Sequence, residues 1–237
     1  MSATKRAFPE SRVLYEDNHL LVVNKLPGEL VQGDKTGDKS LLDVLKQYLK
    51  EKHNKPGNVF LGLPHRLDRP TSGIVVFAKT SKALSRLSEQ FKNRANKKVY
   101  WAVVNKPIRL KQAVLEDHLR KNEHQNKSYV VKSSEPGAKK AKLSYEVVAE
   151  IDRYFMLEVL LETGRHHQIR TQLARRDMPI KGDLKYGYSR SNQDASIHLH
   201  ARYLEFEHPV TKELKKFKAK APREKVWTLL SEAYSKT

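Results

Sequence analysis

Hydrophobic side chains recur along this chain with two periods, and the switches between them mark its elements. Residues 12–25, RVLYEDNHLLVVNK, hold two short runs of aliphatic and aromatic side chains broken by Glu16, Asp17 and Asn18. This is the pattern of two strands and a tight turn, with Pro27 and Gly28 ending the second. After a polar loop over 33–39 the period becomes helical: Ser40 suits an N-cap, and Leu41, Leu42, Leu45, Tyr48 and Leu49 mark one face. HNKPGN is a loop, residues 74–78 read as a buried strand, and Ser81 opens a second helix with Leu84, Leu87 and Phe91 on one side.

Further along, KVYWAVV predicts a strand that sends Tyr100 and Trp101 to opposite faces, one ring to the core and one to a cleft. Residues 117–142 are polar and read as an exposed hairpin or loop excursion. LSYEVVAEI and YFMLEVLLET form a strand pair turned at Asp152 and Arg153, with Phe155, Leu157, Val159 and Leu161 on one face. Gly164 closes that pair, and RHHQIRTQLARR predicts a helix with Ile169 and Leu173 inward. In SIHLHARYLEFEHP the apolar parity shifts between Ala201 and Leu204, which places a bulge near Arg202 and Tyr203. Val226, Leu229 and Leu230 support a closing helix. With no repeat and no linker, residues 12–237 are expected to form one α+β domain of mixed strands and flanking helices behind a loose tail over 1–11.

Composition narrows the partners. The 237 residues contain 46 Lys and Arg against 27 Asp and Glu, a net charge of +19, which is the footprint of a nucleic-acid binder. No apolar run is long enough to span a membrane, and the first eleven residues lack the apolar stretch of a signal peptide, so a cytoplasmic location is expected. The absence of cysteine excludes disulfides and thiolate metal sites. His166 with His167, and His198 with His200, bring no carboxylate at a recognisable ligand spacing, so no metal is assigned to them. Between Phe91 and Lys111 the chain carries Lys92, Arg94, Lys97, Lys98, Lys106, Arg109 and Lys111 with no acid, around Tyr100 and Trp101; rings for bases and cations for phosphates suit RNA.

The candidate chemistry centres on HRLDRPTSGIVVFAKT, residues 65–80. Pro64 and Pro70 hold their predecessors extended, and Asp68, Thr71, Ser72 and Gly73 have the chemistry of a turn that leads into the buried strand. A carboxylate on a loop fixed by a sheet can be functional, or it can cap its own turn. Local pattern leaves both readings open for Asp68, as it does for Arg165, which can face a cleft or pair with a surface acid.

HRLDRPTSGIVVFAK resembles the segment around the catalytic aspartate of the RluA-type RNA pseudouridine synthases. LLVVNKLPG at 20–28, TGRHHQIRTQLA at 163–174 followed by PIKGDLKYG, and LHARYLEFEHP at 199–209 resemble the same family in the same order. The resemblance implies a mixed, mainly antiparallel sheet flanked by helices with the catalytic cleft across it, no separate N-terminal RNA-binding domain, no cofactor and a monomer acting on structured rRNA or tRNA. It further implies that Asp68 is the nucleophile, that Arg165 of the GRHHQIR motif is its cationic partner, and that Tyr100 receives the extruded base and can help remove the last proton. Leu199 would form an apolar floor, Arg66 or Arg69 would fill the gap left by the base or hold phosphates, and Lys97 and Lys98 would bind RNA.

The chemistry is consistent with a single acid. Uracil can leave its sugar as a delocalised anion, so one ionised carboxylate can serve where a glycosidase uses two. In a pocket that carboxylate keeps its charge only beside a cation. A noncatalytic RNA-binding protein would account for the charge alone, and a His-dependent nuclease for the charge and some histidines while leaving the Asp68 segment idle.

Overall fold

The period-two and period-3.6 stretches fold as strands and helices in the expected order. The computed structural model describes residues 8–34, 37–105 and 108–236. Residues 1–7 of the expected tail, Lys35 and Thr36 of the polar loop, and Lys106 of the basic stretch lie outside the described residues. The strands are β1 Val13–Glu16, β2 Leu20–Lys25, β3 Ser72–Ala78, β4 Asn96–Asn105, β5 Gln112–Asn122, β6 Lys127–Val131, β7 Lys139–Ile151, β8 Tyr154–Leu161, β9 Leu199–Glu207 and β10 Leu214–Lys218. The helices are α1 Leu41–Lys52, α2 Ser81–Lys92, α3 Gln168–Ala174 and α4 Lys225–Tyr234.

All the strands belong to one sheet of order β1-β2-β3-β9-β4-β8-β7-β5-β6, with β10 paired to the free half of β9. Every pairing is antiparallel except β3 with β9, which meet in parallel over Ser72–His200 and Gly73–Ala201. On the front face α1 covers the β2–β3 side, packing Leu41, Leu45, Tyr48 and Leu49 against Leu21, Val23, Val75 and Phe77. On the same face α3 covers the β4–β8–β7 side with Ile169 and Leu173 against Ala102, Leu157 and Val159. Tyr100 touches both clusters, so the cleft opens over β9 and β4 between the two helices. On the back face Leu87 of α2 joins Leu20, Ile74, Leu204 and Phe206 in a cluster continuous from β2 to β9, while Trp227 of α4 covers Trp101.

Several expectations are met in detail. Ser40 caps α1 in a reciprocal pair with Asp43, and the β4–β9 register slips at Arg202, where Tyr203 opposes Val99 and Ala201 opposes Tyr100. Leu199 and Ala201 therefore serve the front clusters and Leu204 and Phe206 the back one, which is the parity shift read from the sequence. Others are corrected. Thr80, not Ser81, caps α2, its side chain accepting from Ala83 N. Of the two alternatives for residues 117–142 the hairpin holds, β5 pairing with β6 from His118–Val131 to Asn122–Lys127, and the loop falls, because these strands need only one buried side, supplied by Leu115, Leu119 and Ser128. Phe8, assigned to the tail, is buried against Tyr48. In α4 the inward residues are Trp227 and Leu230, and Leu229 is exposed.

The parallel contact between β3 and β9 demands a glycine. Gly73 has φ +115°, and a Cβ there would lie 2.4 Å from the carbonyl oxygen of Ala201, so any side chain would push the strands apart. Gly73→Ala is expected to destabilise the fold by about 3 kcal/mol or more, combining backbone strain with overpacking. Gly57→Ala, where nothing lies within 4 Å, should leave the thermal unfolding midpoint nearly unchanged, and equal midpoints for the two variants would refute the close approach.

Candidate active site

The loop that carries Asp68 is pinned from below by a lysine. Lys25, fully buried at the end of β2, donates Nζ protons to the carbonyls of Leu26 at 3.0 Å, Arg69 at 3.0 Å and Thr71 at 2.6 Å. Burial pushes this ammonium down to about 7, and the three carbonyls take its three protons. Gly28 N also donates to Arg69 O at 2.8 Å, Thr71 N to Asp68 O at 3.0 Å, and Leu67 is buried. On the upstream side His65 Nε2 accepts from Val76 N at 3.0 Å and the ring stacks on Phe91; burial lowers His65 to about 3, so it is neutral.

The cation against Asp68 is Arg170, not Arg165. Arg170 Nη1 donates to Asp68 Oδ2 at 3.0 Å, while Nε and Nη2 bind Asp183 Oδ2 and Oδ1 at 2.7 and 2.8 Å. The bidentate contact fixes the plane of the guanidinium and aims its remaining edge at Asp68. Burial opposes the arginine's charge, but the hydrogen bonds and charge of Asp183, with Asp68 behind them, outweigh it and hold Arg170 above its ordinary value. Asp183 is placed by the tight turn at Gly182, where φ is +87° and a Cβ would lie 2.6 Å from Asn192 Nδ2.

Arg165 misses this position because the helix starts later than expected. The chain from Gly164 to His167 is a turn, α3 begins at Gln168, and the Gln168 side chain closes the turn by accepting from Arg165 N. Arg165 Nε donates to the carbonyl of Lys140 on β7, which leaves it on the wall of the cleft. Arg69 is also displaced: it donates Nε to Gly28 O and pairs with Asp38, away from the cleft lining.

The other expected residues do meet. Tyr100, Leu199, Arg66, Lys97 and Lys98 line one cleft of about 880 Å³ together with Asp68 and Arg165. Burial, with the Asp68 charge adding to it, raises Tyr100 above the ordinary phenol value, so its hydroxyl is protonated. Lys98 is half-buried with its Nζ 4.7 Å from the centre of the Phe91 ring, and burial lowers it to about 8. His198 and His200 lie apart on the back face, the first 2.9 Å from Glu224 and stacked on Trp227, the second 2.9 Å from Ser72 Oγ. Among the described residues no group of three or more His, Asp or Glu side chains could hold a metal ion.

Sequence reasoning missed Arg170, Asp183 and Lys25. Arg170 had a legible signal, since it lies three residues before Leu173 and thus shares the inward face of α3. Asp183 gave a weaker one, an acid after a glycine in a basic stretch. Lys25 gave none, because a strand-end lysine is ordinarily exposed.

The sequence profile described as RNA pseudouridylate synthase matches residues 19–175. An uncharacterized RNA pseudouridine synthase of Bacillus subtilis is 33% identical over 87% of this chain and 67% of its own length. Ribosomal large subunit pseudouridine synthase C of Yersinia pestis is 33% identical over 87% of this chain and 64% of its own. The chain thus spans about two thirds of the length of these relatives. Among solved structures, human RNA pseudouridylate synthase domain containing 4 superposes with a TM-score of 0.76 at 26% identity, covering 95% of this chain and 93% of its own. With a profile match over more than half the chain, relatives at one third identity and a shared fold around the Asp68 cleft, this protein belongs to the RNA pseudouridylate synthase family.

Proposed function

We propose that this protein is an RNA pseudouridine synthase that isomerises uridine in structured RNA, with Asp68 as the reacting group. The observation that carries the reading is the placement of Asp68: its Oδ2 is fixed by Arg170, itself locked on Asp183, at the wall of a cleft that also holds Tyr100 and Leu199. Oδ1 is the oxygen left for the sugar. Attack on the anomeric carbon and removal of the neighbouring sugar proton both start from this ionised oxygen, and either releases uracil as an anion. The base then turns and rejoins the sugar through carbon 5, as the bond to Asp68 breaks or the borrowed proton returns from Asp68 to the sugar carbon; carbon 5 finally loses its proton as nitrogen 1 gains one, so neither water nor cofactor is consumed.

The base reaches the cleft only if the nucleotide is extruded, at a few kcal/mol in paired RNA. Tyr100 and Leu199 supply the apolar surface that receives it. Arg66 at the mouth replaces it in the stack or holds a neighbouring phosphate, and Lys97, Lys98 and Arg165 hold the strand. Because Tyr100 starts protonated, it takes part in the last step by passing its own proton on as it accepts the one from carbon 5. The names of relatives called ribosomal large subunit pseudouridine synthases favour rRNA as substrate, met in the cytoplasm by a monomer.

Asp68→Asn keeps the shape and removes the charge. Turnover, read as pseudouridine formed per enzyme, should fall by at least about 10⁴-fold with folding and RNA affinity nearly unchanged. Activity close to wild type would remove Asp68 from the chemistry.

Arg170→Lys keeps a positive charge but loses the planar fork, so it should cost about 10- to 100-fold in turnover and a measurable drop in melting temperature. Arg165→Lys should stay within about threefold in turnover, since a single bond to a backbone carbonyl is all it gives up. The reverse order would restore Arg165 as the partner of Asp68.

Turnover should persist in excess EDTA, whereas RNA affinity should fall steeply as salt rises, because phosphate neutralisation by the basic surface dominates binding. Loss of activity with the chelator would favour the nuclease class, and salt-independent affinity would refute the basic surface as the RNA contact.

A further inference from the structure

A second chain of contacts reaches the same oxygen of Asp68 from strand β6. The backbone N–H of Ser128, a buried residue, donates to Tyr186 Oη at 2.8 Å. Tyr186 Oη lies 2.9 Å from Nδ1 of His167, and Nε2 of His167 faces Asp68 Oδ2 at 3.5 Å. His167 holds this place in a left-handed backbone conformation, φ 51° and ψ 27°, which costs a non-glycine residue about 1 kcal/mol or more. Thr171 Oγ1 donates to the His167 carbonyl at 2.9 Å, and the imidazole stacks on His166 with ring centres 3.8 Å apart, so the surroundings over-determine the strained residue.

We propose that His167 is a positioning residue, held by Tyr186 as the neutral Nε2–H tautomer so that this N–H steadies Asp68 Oδ2 and leaves Oδ1 to meet the sugar. Tyr186 Oη accepts from Ser128 and can either give its one proton to Nδ1 or accept from it, so the direction of this bond is set at the other end of the ring. The opposite tautomer would set the lone pair of Nε2 against a carboxylate oxygen. The doubly protonated ring is disfavoured by burial first and then by Arg170, with His166, Lys185 and Lys121 adding smaller repulsions. A separation of 3.5 Å is one step outside hydrogen-bond range, the length usual for catalytic contacts that tighten when substrate binds. The role rests on Asp68 being the reacting group, but the tautomer does not.

Long-range proton–nitrogen NMR of the full chain with labelled histidine tests the tautomer directly, the His167 signals being identified by their loss in His167→Gln. The expected pattern is a protonated Nε2 and a bare Nδ1. Tyr186→Phe should weaken the preference, leaving Asp68 alone to set it, and lower turnover by about tenfold, the worth of one hydrogen bond to a charged group, with RNA affinity unchanged. His167→Gln, which can offer an amide N–H, should retain more turnover than His167→Leu. A protonated Nδ1 in the wild-type protein overturns the proposal whatever the activity of Asp68→Asn, and equal turnover in His167→Gln and His167→Leu overturns the positioning role even if Tyr186→Phe fails to fold.

Discussion

One guanidinium shared between two carboxylates sets the terms for the rest of this molecule. Arg170 is bound along one edge, through Nε and Nη2, by Asp183, which is almost wholly buried, and through Nη1 by Asp68, which is partly open to the cleft. Removing the arginine would strand Asp183 as an unpaired buried charge, at about 3–5 kcal/mol. The pair with Asp183 is thus structural and the pair with Asp68 is its usable end. The difference in burial is what allows one carboxylate to hold still while the other meets a substrate.

Two histidines and a phenol near that triad are kept neutral, and the molecule around it is strongly positive. Burial lowers His65 to about 3 and His167 to about 2, and it raises the Tyr100 phenol, so these three groups carry no charge at neutral pH. The chain as a whole carries +19. Two carboxylates and one guanidinium leave a net negative charge in the middle of this field, where a phosphate is repelled from Asp68 yet drawn to the rim. Such an arrangement orients a nucleotide with its backbone outward and its sugar inward.

Most of the architecture was legible because it depends on period and turn chemistry. The β1–β2 hairpin, α1 with its Ser40 cap, the β7–β8 pair and the bulge at Arg202 all follow from local pattern. The cleft residues Tyr100 and Leu199 followed from alternation and family likeness together. The failure at Arg165 has a local cause: a left-handed His167 delays the helix by three residues, and neither spacing nor charge distinguishes two arginines five positions apart when the start of the helix is misplaced. Lys25 and Asp183 act through contacts 44 to 46 and 13 residues away in the chain, which no local window reports.

The seam at Gly73 has a mechanical consequence. Asp68 enters with the strands on one side of β9, whereas Arg170 and Asp183 come with the helix and loop on the other. Both faces bridge β3 and β9, Val75 with Ala201 in front and Ile74 with Leu204 behind, and on the front the clusters meet at Tyr100. The ion pair is therefore a clasp across the front face, tying the loop before β3 to α3 above the strands they share. Because the Asp68 carboxylate forms one end of that clasp, any shift of α3 against the loop before β3 reaches it first.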